Sequence, residues 1–238
     1  MSARALRTIA RHACTECAAA RARSEVLAHT TKVAIDDLDG MRLRLLSSSV
    51  PADFAEAWWA LLWPGGHVLA RHILANPQRF RGRRVLDLGS GGGVGAIAAA
   101  MVGASRVVAN DVCHRAAAAA KVNAQLNGVD VETLTADIID TDPSEYFEPD
   151  DALIVGDMLY EAAVADPLLP WLQRVAAIGV DVTVGDPGRW VLSTLPAERR
   201  TATLCELEVV ELPTIMPPEV SWAHYAFVRG SVWQVLPS

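Results

Sequence analysis

The residues best placed to do chemistry are acidic side chains that stand beside glycines or close apolar runs. Asp87-Leu-Gly89-Ser90-Gly91-Gly-Gly93 spells D-x-G-x-G-x-G at the end of a short apolar segment. Glycines let a backbone pass close to a ligand, and a helix that follows presents free N–H groups. Asp111 ends the next apolar run, RVVAND, where a carboxylate can accept both hydroxyls of a ribose. Asp137 ends a third run, in the same crevice, with chemistry suited to an adenine amino group. A fourth run closes as Val155-Gly156-Asp157-Met158-Leu159-Tyr160 and brings another carboxylate and a phenol.

Two ligand classes use such a crevice. A dinucleotide needs G-x-G-x-x-G/A, which Gly91, Gly93 and Ala96 meet loosely. Asp87 argues against it, because a carboxylate is unwelcome beside a pyrophosphate. The same carboxylate suits a cationic or amino-acid-bearing ligand. S-adenosylmethionine, with an adenosine, a sulfonium and an aminocarboxylate but no phosphate, fits Asp87, Gly89, Ser90, Gly91, Asp111 and Asp137 together. A class I methyltransferase is therefore favoured over a dehydrogenase. A plainer reading makes Asp111 and Asp137 caps of their strand ends.

These residues need a scaffold, and the pattern supplies one. From residue 83 onward short apolar strands alternate with Ala-rich helices: RRVLDLGS, VGAIAAAMVGA, RVVANDV, HRAAAAAKVNAQLNG, VETLTADI, ALIVGDMLY, AVADPLLPWLQRVAAIG and DVTVGDPGR. Such alternation means right-handed crossovers and a parallel sheet that binds ligands at the carboxyl ends of its strands. TATLCELEVVEL and SWAHYAFVRGSVWQV read as two further strands, a hairpin with an antiparallel edge strand. The expected fold is α/β, a Rossmann-like class I methyltransferase with a mostly parallel sheet and helices on both faces. Segment 51–75 reads helical through Phe54, Trp58, Leu61 and Leu62, with a break at WPGG, residues 63–66. The expected organisation is a basic leader over 1–30, a helical cap segment over 31–80 and the catalytic domain over 81–238.

Composition bounds the function. The chain has 238 residues, 51% of them hydrophobic, and a net charge of -7. Such an acidic surface is a poor partner for phosphate backbones, so no nucleic acid is expected. No apolar run approaches the ~18 residues that suggest a membrane span, so no membrane is expected, and the protein is expected to be a soluble monomer. Cys14 and Cys17 form a single C-x-x-C without a second pair at zinc spacing, so no metal is expected. The leader carries Arg4, Arg7 and Arg11 and resembles an organelle transit peptide, although an ordinary N-terminal helix reads similarly.

The strand-four end carries a more specific resemblance. Asp157 and Tyr160 stand in the D-x-x-Y spacing of the seven-β-strand lysine methyltransferases called family 16. WPGG, VLDLGSG, AND, GDMLY, GDPGR at 185–189 and SVW at 231–233 in order resemble the electron transfer flavoprotein β-subunit lysine methyltransferases among them. The resemblance runs from about Val26 to near Ser238 and is weaker over 191–220. It implies a seven-β-strand sheet, S-adenosylmethionine as methyl donor and lysines of the flavoprotein β subunit as acceptors. It further implies that methylation reduces electron transfer from acyl-CoA dehydrogenases. The location it implies is the mitochondrial matrix in a eukaryote, or the cytoplasm in a bacterium. Asp157 and Tyr160 would be catalytic, aiming and lining the path of the amine, while Trp63, Gly156 and Asp157 would sit against the cofactor. The alternatives are the same fold acting on another protein or a small molecule, and an inactive scaffold.

Overall fold

The computed structural model describes residues 18–46, 57–213 and 227–237. Cys14, Cys17, Phe54 and most of the basic leader lie outside the described residues. Helix α1 (18–29) leads into β1 (Thr30–Ile35), which pairs antiparallel with β2 (Met41–Leu46). Over 30–46 this hairpin stands where helical character was expected across 31–80. TTKVAI and MRLRLL alternate with the period of a strand, and Asp39-Gly40, both at positive φ, make the turn.

Seven strands form the main sheet: β3 (Arg84–Leu88), β4 (Arg106–Asn110), β5 (Glu132–Leu134), β6 (Ala152–Gly156), β7 (Asp181–Asp186), β8 (Leu204–Glu211) and β9 (Arg229–Val235). Their order is β5-β4-β3-β6-β7-β9-β8. Five strands are parallel; β9 runs antiparallel to β7 and β8 antiparallel to β9. The C-terminal pair thus adds two strands, with β9 inside and β8 at the edge. The sequence reversal between β3 and β6 creates the topological switch at which such sheets bind ligands.

Alternation along the central strands explains why the sheet is covered on both faces. Val85, Ala152 and Ile154 pack into one core with α2 (Pro64–Ala75) and α3 (Val94–Met101). Their neighbours Leu86, Leu88, Leu153 and Val155 pack into the opposite core with α5 (Ala162–Ala177). On the first face the hairpin is held by α4 (His114–Leu126) and its C-cap Asn127. Asn123 Oδ1 accepts from Arg44 N at 2.7 Å, and Asn127 exchanges bonds of 2.8 and 2.7 Å with the Arg42 backbone. Two side-chain amides thereby satisfy an edge that would otherwise present unpaired groups.

Helix α2 begins at Pro64, so WPGG opens a helix instead of breaking one. Proline is favoured at the first helical position, where its missing N–H has no partner to lose. The two glycines behind it are explained by what they touch. A Cβ on Gly156 would come 2.9 Å from Gly66 Cα, and one on Gly65 would come 2.8 Å from Asp157 N. A Cβ on Gly185 would overlap the Gly65 carbonyl and come 2.7 Å from Leu69 Cβ. The start of α2 is therefore seated directly on the ends of β6 and β7. Two further short helices, α6 (Trp190–Thr194) and α7 (Ala197–Thr203), follow β7. The latter takes up residues expected as the start of a strand.

Candidate active site

Strand β3 delivers the glycine loop. Gly89, Gly91 and Gly93 all have positive φ, which side chains resist, and Gly93 N donates to Ser90 O at 2.7 Å to close the turn. Ser90 N donates to Asn110 O at 2.9 Å, and Asn123 Nδ2 donates to Gly92 O at 2.9 Å. The fully buried Asn123 thus binds both the hairpin edge and the glycine loop, a role that sequence reading missed. Trp63, Asp87, Gly89, Ser90, Gly91 and Gly156 line one cleft together. Ser90 Oγ is buried in that loop without a hydrogen-bond partner. Met158, also missed, lies across Gly89 so closely that a Cβ there would overlap its sulfur.

The acidic residues divide by environment. Asp87 is buried, and its Oδ2 accepts from Ala96 N at 2.8 Å in the first turn of α3. Burial pushes its carboxyl up to about 7, against that one bond. It therefore caps a helix as well as lining the cleft. Asp111 accepts from Gly91 N at 3.0 Å and from Cys113 N at 2.9 Å, and its partial burial raises its pKa. Each oxygen keeps a lone pair beyond its protein donor, so capping and ligand binding are compatible. Asp137 lies past the end of β5, which stops at Leu134 and is shorter than expected. Asp137 is exposed and accepts from Ile139 N at 3.2 Å. Asp111, Asp137, Asp157 and Tyr160 stand outside the lining of the cleft itself.

Asp157 stands at the junction of β6, β7 and α2. Its φ of 61° is left-handed, a region that Asp tolerates better than most residues and that marks local strain. Its backbone N donates to Gly185 O at 2.9 Å. One carboxylate oxygen accepts from Gly65 N, the second helical position of α2, and the other holds Arg189 Nε at 2.6 Å. Burial raises its pKa, and the Arg189 charge opposes that rise. The Arg189 guanidinium lies 5.5 Å from the ring centre of Trp63 and 5.1 Å from that of Phe227. Trp63 is steadied in turn by its Nε1, which donates to Trp58 O at 2.9 Å, and by the Trp58 ring at 5.9 Å.

Behind Arg189 sits Asp186, fully buried. Its Oδ1 accepts from Gly188 N and Arg189 N, both at 2.7 Å, while Oδ2 has no partner. Burial pushes this carboxyl up to about 7, and the nearby Asp157 charge adds to it. Tyr160 is exposed; burial of part of its ring and the charges of Glu161 and Asp111 raise its phenol above the ordinary value. Trp58 and Trp190 are also exposed, at 62% and 66%. Among the described residues no group of side chains could hold a metal ion, and no helix is long and apolar enough to cross a membrane.

Residues 72–175 match the family described as ribosomal protein L11 methyltransferase (PrmA). The chain is 35% identical over 225 residues to the electron transfer flavoprotein beta subunit lysine methyltransferase of Xenopus laevis, covering 90% of this chain and 87% of that protein. It is 41% identical over 186 residues to the protein of the same name from Rattus norvegicus, covering 77% and 69%. Among solved structures it is similar to the tRNA (uracil-54, C5)-methyltransferase of Pyrococcus abyssi in complex with S-adenosyl-L-homocysteine. That likeness has a TM-score of 0.52 at 18% identity over 87% of this chain and 44% of the other, and it bears on fold alone.

Proposed function

The chain belongs to the electron transfer flavoprotein β-subunit lysine methyltransferases, and from that premise we propose that it methylates lysines of that β subunit with S-adenosylmethionine as donor. The cofactor suits the residues present. The cleft combines a glycine loop with φ values of 65°, 51° and 83° and a buried, unpartnered Ser90 hydroxyl. Asp111, at the adjacent strand end, retains acceptor capacity on both oxygens. Gly89, Ser90 and Gly91 would hold the aminocarboxylate end, Asp111 the ribose and Asp137 the adenine. When bound, the cofactor supplies an electrophilic methyl group.

The acceptor lysine must be neutral to attack. Near neutral pH that costs on the order of 4 kcal/mol for an ordinary lysine, and partial desolvation at the site reduces the cost. The chain's task is then alignment, which is worth far more than a strong base. Asp157 is built for it: the Gly65 N–H fixes one carboxylate oxygen, and the other, which holds Arg189, can accept from an incoming amine instead. Tyr160, exposed three residues beyond Asp157, would line the approach.

The single observation that carries this reading is that Trp63 and Gly156 line the same cleft as the glycine loop, while Asp157 joins the ends of β6 and β7 beside them. Exposed aromatic residues, Trp58 against Trp63 and Trp190 next in the chain to Arg189, support a protein acceptor over a small enclosed one. Reduced electron transfer from acyl-CoA dehydrogenases is the consequence we attach to the modification. The test is incorporation of labelled methyl from S-adenosylmethionine into purified electron transfer flavoprotein. The wild-type flavoprotein is compared with a form whose β-subunit candidate lysines are changed to Arg. Label confined to the wild-type β subunit is expected. No label, with cofactor binding intact, would overturn the acceptor.

A further inference from the structure

We infer that Asp157, Trp63 and Phe227 form a cation box for the acceptor ammonium, and that Arg189 is its internal occupant, displaced when the substrate lysine enters. This deepens the lysine-methyltransferase reading and rests on it. The box has a carboxylate on one side, with Arg189 Nε at 2.6 Å, and aromatic rings at 5.5 and 5.1 Å. A monocation flanked by one carboxylate and two ring faces is the arrangement that recognises an alkylammonium, with or without methyl groups. No other cationic side chain is paired with Asp157 among the described residues. Whatever replaces Arg189 must therefore arrive with positive charge, or the buried carboxylate is left uncompensated; the seated lysine gives its proton to water before it attacks.

The occupant is able to leave. The Asp157 side chain is 5% exposed but that of Arg189 is 20% exposed, so the guanidinium reaches the box from the solvent side. Arg189 is the N-cap of the five-residue α6, and its backbone N–H is pinned, with that of Gly188, by Asp186. The backbone can stay fixed while the side chain swings on its own torsions. Trp63 and Asp157 are likewise held by other partners, Trp58 O and Gly65 N, so the box keeps its shape when the occupant goes. Lysine then enters a site already shaped for a cation, while neutral side chains meet an unfavourable exchange.

The test uses n-butylammonium as the probe, with the full-length protein saturated in S-adenosylhomocysteine so that the cofactor position is filled. Binding is followed through the Trp63 indole N–H resonance. Arg189→Ala and Arg189→Met should bind the probe at least about tenfold more tightly than the wild type, and Arg189→Lys, which refills the box, should show no gain. The gain should vanish when Asp157→Asn is added. Retained S-adenosylhomocysteine affinity reports that each variant is folded. In the wild type, the same titration at higher concentration should move the Arg189 Nε–H resonance to that of a solvated arginine.

An unmoved Arg189 resonance, or no gain in either variant, would make Arg189 a fixed wall and overturn the inference. So would a gain that survives Asp157→Asn, or one seen only without S-adenosylhomocysteine, which would assign the box to the cofactor's sulfonium. No protein acceptor takes part, so failure to label the flavoprotein and failure of the box are separate results.

Discussion

Replacing Asp186 by Asn should remove a defined part of the protein's pH dependence. In the unfolded chain this carboxyl titrates near its ordinary 3.8, and in the folded protein at about 7, because it is buried and one oxygen lacks a partner. Between those values the folded state keeps a proton that the unfolded state has released. Stability therefore falls by about 1.4 kcal/mol per pH unit across the window, and the contribution is intact only below it. Across about three units the loss is on the order of 4 kcal/mol, complete by about pH 8. Asn has no such titration, and its amide oxygen can still accept from Gly188 and Arg189. Urea unfolding of wild type and Asp186→Asn between about pH 5 and about pH 8 isolates Asp186 and its coupling to Asp157, since titrating groups not coupled to it cancel in the difference. The difference should move by about 2–3 kcal/mol in favour of the variant from about pH 5 to about pH 7, then level off. A difference constant to within about 0.5 kcal/mol over that range would refute the burial argument.

Gly185→Ala should destabilise by about 1–3 kcal/mol, seen as a lower urea midpoint, because the Gly65 carbonyl and Leu69 stand where the new methyl must go. Asn123→Ala leaves Arg44 N and Gly92 O without a partner and should cost about 2–4 kcal/mol in the same assay. Asp111→Ala should weaken S-adenosylhomocysteine binding by about tenfold or more in calorimetry, since Gly91 N also loses its acceptor. Asp157→Asn should lower turnover by at least about a hundredfold while cofactor affinity stays within a few-fold. Unchanged turnover would remove the role given to that carboxylate.

The parallel sheet was legible because its strands are buried on both faces and punctuated by glycines, a pattern that survives without tertiary context. The hairpin over 30–46 was legible too, through the alternation of Met41, Leu43 and Leu45 with Arg42 and Arg44 around Asp39-Gly40. It escaped because the Trp-rich segment after it drew the whole region toward helix. WPGG misled in the opposite way. Proline and glycine usually interrupt a helix, yet here proline starts one and the glycines admit two strand ends against it. Arg189 could be seen in GDPGR but not understood, because its partners Asp157, Trp63 and Phe227 come from three other parts of the chain. Asn123 offered no local signal at all in an Ala-rich helix whose repeats point to packing.

The position of β9 constrains how the molecule is made. This strand lies between β7 and β8, although both precede it in the chain. During synthesis, β7 and β8 wait with open edges until residues 229–235 have left the ribosome, and only then can both be sealed at once. Earlier parallel strands can assemble before that, so the nascent chain passes through a stage with two exposed, strand-ready edges. A message truncated before Arg229 would lose far more than a tail: it would release a product with those edges permanently unsealed, a substrate for chaperones, proteases or self-association.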